Sequence, residues 1–98
     1  VLVKNLGATQ AKSYTKVYNI LKASSTFATY LETGYGRPEP MSGNELDGCY
    51  SIRLNANYRV IVRPEAETLS IIDLRECDSI EMKGVVDYHG AKYTWKTP

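Results

Sequence analysis

The stretch from Gly84 to Gly90 holds the residues of this chain that are best suited to proton transfer. Asp87, Tyr88 and His89 are consecutive, follow a pair of valines, and include the only histidine. A carboxylate, a phenol and an imidazole are the usual groups of general acid–base chemistry. Apolar residues followed by such a trio are typical of a buried strand with polar side chains at its end. The alternative is a strand that simply passes into solvent.

Two arginines suggest a second chemical function, the binding of an anion. Arg53 lies within one predicted strand and Arg59 near the start of the next, so the two can face each other across a hairpin. Arginine within a strand is unusual unless a carboxylate or a phosphate meets it. Two interpretations therefore stay open, namely phosphate binding and a salt bridge to Asp73, Asp87 or a nearby glutamate.

The last residues alternate basic and aromatic side chains. Lys92, Tyr93 and Trp95 suit stacking on bases and contact with the backbone of single-stranded RNA. Arg63, at the end of the predicted hairpin, is a further candidate for RNA binding. Trp95 is the only tryptophan and can equally pack in the core.

The first half of the chain has the apolar spacing of helices. Residues three and four apart predict a helix from Ala8 to Leu21 and a shorter one from Thr26 to Glu32. Gly34 stands where a left-handed residue is expected to end the second helix. Residues 35–48 contain several glycines and prolines and predict a long loop, a type of connection that is often functional.

The second half has the pattern of β-structure, with a tight turn at residues 55–57. We predict four strands, at Cys49–Leu54, Tyr58–Arg63, Leu69–Leu74 and Ile80–Tyr88. Short connections imply an antiparallel meander. In the last strand, the even positions from Ile80 to Tyr88 are expected to share one face, Met82 and Val86 included. The predicted fold is α+β, with two N-terminal helices packed on a mainly antiparallel sheet of about four strands.

Length and composition indicate one domain over residues 1–98, with an apolar fraction of 43% that suits a compact core. A formal net charge of +1 makes no strong case for nucleic acid and none against it. Two cysteines are too few for a disulfide framework, and no signal peptide or long apolar span is evident. We expect a reduced, cytoplasmic protein without membrane contact. One histidine and scattered acids do not make a metal site, and no cofactor is expected.

Two segments resemble a family of bacterial toxins. Residues 46–62, which include Gly48, the run from Tyr50 to Leu54, and Arg59, resemble the central hairpin of the RelE/ParE toxin superfamily. The ending Asp-Tyr-His-Gly at residues 87–90 resembles its HigB-type branch, the plasmid maintenance killer proteins. The resemblance extends over nearly the whole chain, although the first strand usual in the family is short or absent here.

The resemblance implies a toxin of a type II toxin–antitoxin module that cuts messenger RNA on the ribosome without a metal. Its partners would be a helix-turn-helix antitoxin, the ribosome and messenger RNA. Carried over by position, Arg53 and Arg59 would hold the scissile phosphate and His89 would transfer protons. Tyr88 would stack on or orient the nucleotide, and Asp87 would orient an arginine or the histidine.

The loop before the hairpin departs from the HigB-type pattern. That pattern commonly reads His-x-Leu-Lys-Gly, whereas residues 39–43 place Glu39 and Ser42 where the histidine and lysine would stand. A glutamate can act as a base but repels phosphate, and the missing lysine removes a cationic contact. Two alternative functions therefore stay open, a catalytically weakened protein of this fold that acts only by binding another protein, and a ParE-like gyrase inhibitor.

Overall fold

A computed structural model describes residues 3–41, 46–55, 57–89 and 92–95, with only the backbone described for residues 3–8, 10, 88, 89, 92 and 93. Within these ranges the chain forms three helices and five strands. They are α1 (Val3–Ala23), α2 (Phe27–Thr33), β1 (Glu39–Pro40), β2 (Tyr50–Arg53), β3 (Tyr58–Pro64), α3 (Ile71–Arg75), β4 (Ile80–His89) and β5 (Lys92–Trp95). The α+β class predicted from the sequence is confirmed. None of the helices in the described ranges has the length and apolar character needed to cross a bilayer.

The five strands form one sheet in the order β1-β2-β3-β4-β5, with every neighbouring pair antiparallel. The predicted antiparallel sheet is confirmed, but the strand count of four is wrong. The predicted loop contributes β1, and the tail, for which no strand was predicted, pairs with β4 as β5. Both additions lie at the edges of the sheet, where short strands are common.

The helices α1 and α2 pack on one face of the sheet, which we call the helix face. Their buried apolar side chains meet those of the sheet in one cluster, which includes Val17, Leu21, Phe27, Tyr30, Ile52, Val60, Val62 and Val85. Thr26 caps α2 by accepting a hydrogen bond from the backbone N–H of Thr29, and Gly34 ends the helix with a φ of 66°. The left-handed end at Gly34 is as predicted, whereas α1 begins at Val3 instead of Ala8.

The predicted strand Leu69–Leu74 is wrong, because this segment contains the short helix α3. Ser70 accepts a hydrogen bond from the backbone N–H of Asp73, and the carboxylate of Asp73 accepts one from the hydroxyl of Thr68. These polar contacts start a helical turn despite the β-branched isoleucines. Ile71 and Ile72 are 51% and 68% exposed, so their apolar character does not mark a strand in the core.

An irregularity in the pairing of β3 with β4 changes which residues share a face. Ile61 pairs with Gly84 but Val62 pairs with Met82, so Lys83 is an extra residue in β4. Beyond this bulge the alternation is inverted. Met82 packs against the helix-face cluster while Val86 packs on the other face, so the predicted even-numbered face of this strand is wrong.

A second, smaller cluster covers the sheet on the face opposite the helices. Its members are Leu46, Cys49, Ile61 and Val86, with Met41 and Trp95 packed against them. Cys49 lies here and Cys77 lies in the helix-face cluster, and both are free thiols. The sheet is therefore buried in part on both faces.

Candidate functional site

Arg53 and Arg59 lie directly opposite each other in the ladder between β2 and β3, as predicted. Side chains directly opposite in an antiparallel pair project from the same face. Ile52 and Val60, which alternate with the arginines, pack on the helix face. The two guanidinium groups therefore leave the sheet side by side on the opposite face, which we call the arginine face.

The hairpin turn fixes the register that brings the arginines together. The side-chain oxygen of Asn55 accepts hydrogen bonds from the backbone N–H groups of Asn57 and Tyr58, at 2.9 and 2.8 Å. The N–H of Leu54 also donates to the carbonyl of Tyr58 at 2.9 Å. This local closure is an Asx turn, in which an asparagine side chain replaces a backbone turn contact. A slip of one residue would send one arginine to the helix face, so the turn is a condition for the pair.

Within the described ranges, no carboxylate forms an ion pair with Arg53. Its Nε atom is shielded from solvent and meets no hydrogen-bond acceptor within the described ranges. Asp73, one of the proposed salt-bridge partners, is bound to Thr68 and lies in α3. Like charges directly opposite in a sheet reduce stability. The arrangement therefore favours an external anion over a salt bridge for Arg53.

Asp87 is assigned by register to the other face of the sheet. It pairs with Tyr58 on β3 and with Thr94 on β5. Tyr58 packs against the helix-face cluster. Val85, which precedes Asp87 by two residues in β4, belongs to the same cluster. Alternation along the strand places Asp87 with them. The register does not support the predicted role of Asp87 in orienting Arg53 or Arg59.

The backbone of Tyr88 and His89 belongs to β4 and pairs with that of Tyr93 and Lys92 in β5. The side chains of these four residues, and the whole of Ser42, lie outside the described part of the chain. Their roles in proton transfer, stacking and RNA binding therefore stay predictions.

The two other predicted RNA-binding residues lie in different surroundings. Trp95 is partly buried against the second cluster, where it pairs with Val86 across the sheet. Arg63 is exposed and pairs with Glu81 across β3 and β4. It lines a cleft of about 380 Å³ together with Glu65, Glu67 and Glu81. Three carboxylates around one arginine are unfavourable for a phosphate, so the surroundings do not support Arg63 as an RNA contact.

Sequence reasoning missed a third cationic residue beside the arginine pair. Arg37, Pro38, Glu39 and Arg53 line one open cleft of about 350 Å³. Glu39 reaches this position because β1 pairs with β2, with Glu39 opposite Ser51. Arg37 lies in a predicted loop, where no periodic pattern of residues indicates its neighbours. Its position beside Arg53 follows only from the pairing of β1 with β2.

Comparison with models of protein families, with curated proteins and with solved structures yields no match for this chain. The fold and site define an α+β protein with an open antiparallel sheet, helices on one face, and facing arginines on the other. What such a site binds has to be argued from its chemistry.

Proposed function

We propose that this chain is the toxin of a type II toxin–antitoxin module, a ribosome-dependent endoribonuclease that cuts messenger RNA in the cytoplasm. The observation that carries the proposal is the facing pair Arg53 and Arg59, in which the Nε atom of Arg53 meets no hydrogen-bond acceptor within the described ranges. Paired guanidinium groups match the oxygens of a phosphodiester in charge and geometry. The sequence resemblance to HigB-type toxins supplies the reaction and the partners, which are a helix-turn-helix antitoxin, the ribosome and messenger RNA.

The proposed reaction needs proton transfer and charge stabilisation. The ribose 2′-oxygen attacks the adjacent phosphorus and loses its proton to a base, while the bond from phosphorus to the 5′-oxygen breaks and that oxygen gains a proton. Negative charge grows on the non-bridging oxygens, where Arg53 and Arg59 stabilise it. His89 is the predicted proton-transfer residue, and Tyr88 is predicted to orient the nucleotide.

The test is expression with and without the neighbouring gene, scoring growth and mapping cut messenger RNA by primer extension. We expect the wild type to arrest growth, and Arg53→Gln, Arg59→Gln and His89→Ala to relieve the arrest. Removal of one charge-stabilising donor typically lowers the rate by about 10²–10³-fold. Arg75→Gln is the matched control, because Arg75 is exposed at the end of α3.

Two results would count against the proposal. Arrest by the three site variants as strong as that of the wild type would show that the assigned residues are wrong. A wild-type protein that neither arrests growth nor cuts RNA would show that the nuclease activity is wrong. Circular dichroism of each purified variant separates loss of function from loss of fold.

A second function is favoured by the carboxylate beside the arginines. Glu39 is exposed in the cleft that Arg53 lines, where it would repel a phosphate. A protein of this fold that only binds a partner would tolerate this charge. It would copurify with the product of the adjacent gene but leave messenger RNA intact.

A gyrase inhibitor of the ParE type would instead block DNA supercoiling in a purified assay, with no cut in RNA.

A further inference from the structure

The cleft next to the arginine pair has the volume of a small ligand site and a mainly charged lining. Its volume of about 350 Å³ lies at the lower end of the range of about 300–1,000 Å³ for ligand pockets. Arg37 and Arg53 supply two guanidinium groups, and Glu39 supplies one carboxylate. Arg37 and Glu39 are exposed, so both are open to a ligand from solvent.

The backbone holds Arg37 in a conformation that side chains rarely adopt. Arg37 has a φ of 48°, and among the described residues it alone combines a positive φ with a side chain. Its N–H donates to the carbonyl of Gly34 at 3.1 Å, which stabilises this turn. Left-handed conformations at residues other than glycine are uncommon and are concentrated at ligand sites.

The segment that carries Arg37 is fixed against β2. The backbone N–H of Arg53 donates to the carbonyl of Gly36 at 2.6 Å. A Cβ atom on Gly36 would lie 2.5 Å from the Cγ2 atom of Ile52 and 3.1 Å from the carbonyl oxygen of Arg53, so a larger residue would require β2 or Ile52 to shift. This contact sets the position of Arg37 relative to Arg53.

The charges in this cleft are not satisfied by one another. Among the described residues, neither Arg37 nor Arg53 forms an ion pair with Glu39. The cleft around Arg63 has the opposite balance, with three glutamates for one arginine. Two cations against one carboxylate leave the Arg37 cleft with a net positive charge, which suits an anion.

We propose that the Arg37–Arg53 cleft is a second phosphate-binding subsite, which takes the phosphodiester next to the scissile one on a single RNA strand. The inference rests on the proposed function, because it extends the contact that Arg53 and Arg59 make with RNA. Arg37 provides a planar guanidinium for the neighbouring phosphate. Glu39 borders the same subsite and weakens the binding of phosphate there.

The test is the binding of a short single-stranded RNA with 2′-O-methyl riboses, which cannot be cut by 2′-hydroxyl attack. Fluorescence anisotropy gives the dissociation constant of the purified protein at 50, 100 and 200 mM KCl. Arg37→Gly removes the charge and suits the left-handed backbone, so a folding defect is not expected. Arg37→Lys retains the charge, Glu39→Gln removes the opposing one, and Arg75→Gln is the control on another surface.

We expect Arg37→Gly to weaken RNA binding about tenfold. The logarithm of the association constant falls with the logarithm of the KCl concentration, and the magnitude of this salt slope should decrease by about 0.7, the value for one phosphate contact on a single strand. Arg37→Lys should recover part of the affinity, and Glu39→Gln should tighten binding about threefold. Arg75→Gln should bind as the wild type does. Arg37→Gly should lower the affinity for RNA and Glu39→Gln should raise it, and these opposite changes distinguish an effect of charge from a loss of structure.

The subsite is wrong if Arg37→Gly binds as tightly as the wild type, or more weakly with an unchanged salt slope. Weaker binding by Glu39→Gln would also overturn it. In each of these cases the wild type still binds RNA, and the proposed function survives. Failure of the wild type to bind RNA at 50 mM KCl would overturn the subsite, whereas growth arrest and mapped cleavage of messenger RNA decide the proposed function separately.

Discussion

Among single residues, Arg53 lies where its charge is expected to reduce the stability of the sheet. Its side chain lies opposite that of Arg59, and its Nε meets no acceptor within the described ranges. A neutral residue at this position would avoid the repulsion between the two charges. This cost to folding is consistent with the proposed role of the pair in binding phosphate.

Replacement of Arg53 by glutamine should stabilise the protein. We expect the free energy of unfolding in urea at 20 mM NaCl to rise by about 0.2–1 kcal/mol, the usual size of a cross-strand charge effect. The gain should disappear in 1 M NaCl, because salt screens the repulsion in the wild type. Arg75→Gln, which changes the net charge equally, serves as control. A loss of stability at low salt would mean that Arg53 has a stabilising contact.

At the level of elements, the features that could be predicted from the sequence are those set by contacts between residues close in sequence. The hairpin register was predictable because Asn55 closes its turn through neighbouring backbone groups. The distribution of β4 residues between the two faces was not predictable from the sequence. The extra residue Lys83 inverts the alternation, and this bulge depends on the pairing of β4 with β3. Asp87 was grouped with the arginines although the register assigns it to the other face. Predictions therefore held where the determining contacts are close in sequence.

The contact between residues 36–38 and β2 can be tested by a matched pair of glycine substitutions. Gly34 and Gly36 have φ values of 66° and 75°, but a Cβ on Gly34 meets nothing within 4 Å. Gly34→Ala should therefore cost only the left-handed conformation, about 1–2 kcal/mol. Gly36→Ala should cost about 1–3 kcal/mol more, because its Cβ collides with Ile52. Urea unfolding of both variants measures the difference, and equal losses would show that the segment can move off β2.

At the level of the whole molecule, burial of tyrosine hydroxyls makes stability depend on pH in the alkaline range. Burial raises the pKa of Tyr14, Tyr30 and Tyr50, and that of the Cys49 thiol, above their ordinary values. Each group is therefore held in its neutral form by the fold. The unfolded chain ionises first as pH rises, so the stability from these groups is complete below their ordinary pKa values and is lost above them.

Tyr30 should make a large contribution to this loss, since it is fully buried and its hydroxyl donates to the carbonyl of Tyr35 at 2.7 Å. Tyr30→Phe removes that hydrogen bond and should cost about 0.5–1.5 kcal/mol at pH 7. Above about pH 10 the wild type should lose up to about 1.4 kcal/mol per pH unit from this one group. Tyr30→Phe lacks this ionisable group and therefore this loss. The difference in the free energy of unfolding between the wild type and Tyr30→Phe should therefore become smaller between pH 9.5 and about pH 11. Urea unfolding across this range under reducing conditions tests the prediction, and parallel curves for the two proteins would assign the alkaline loss to other groups.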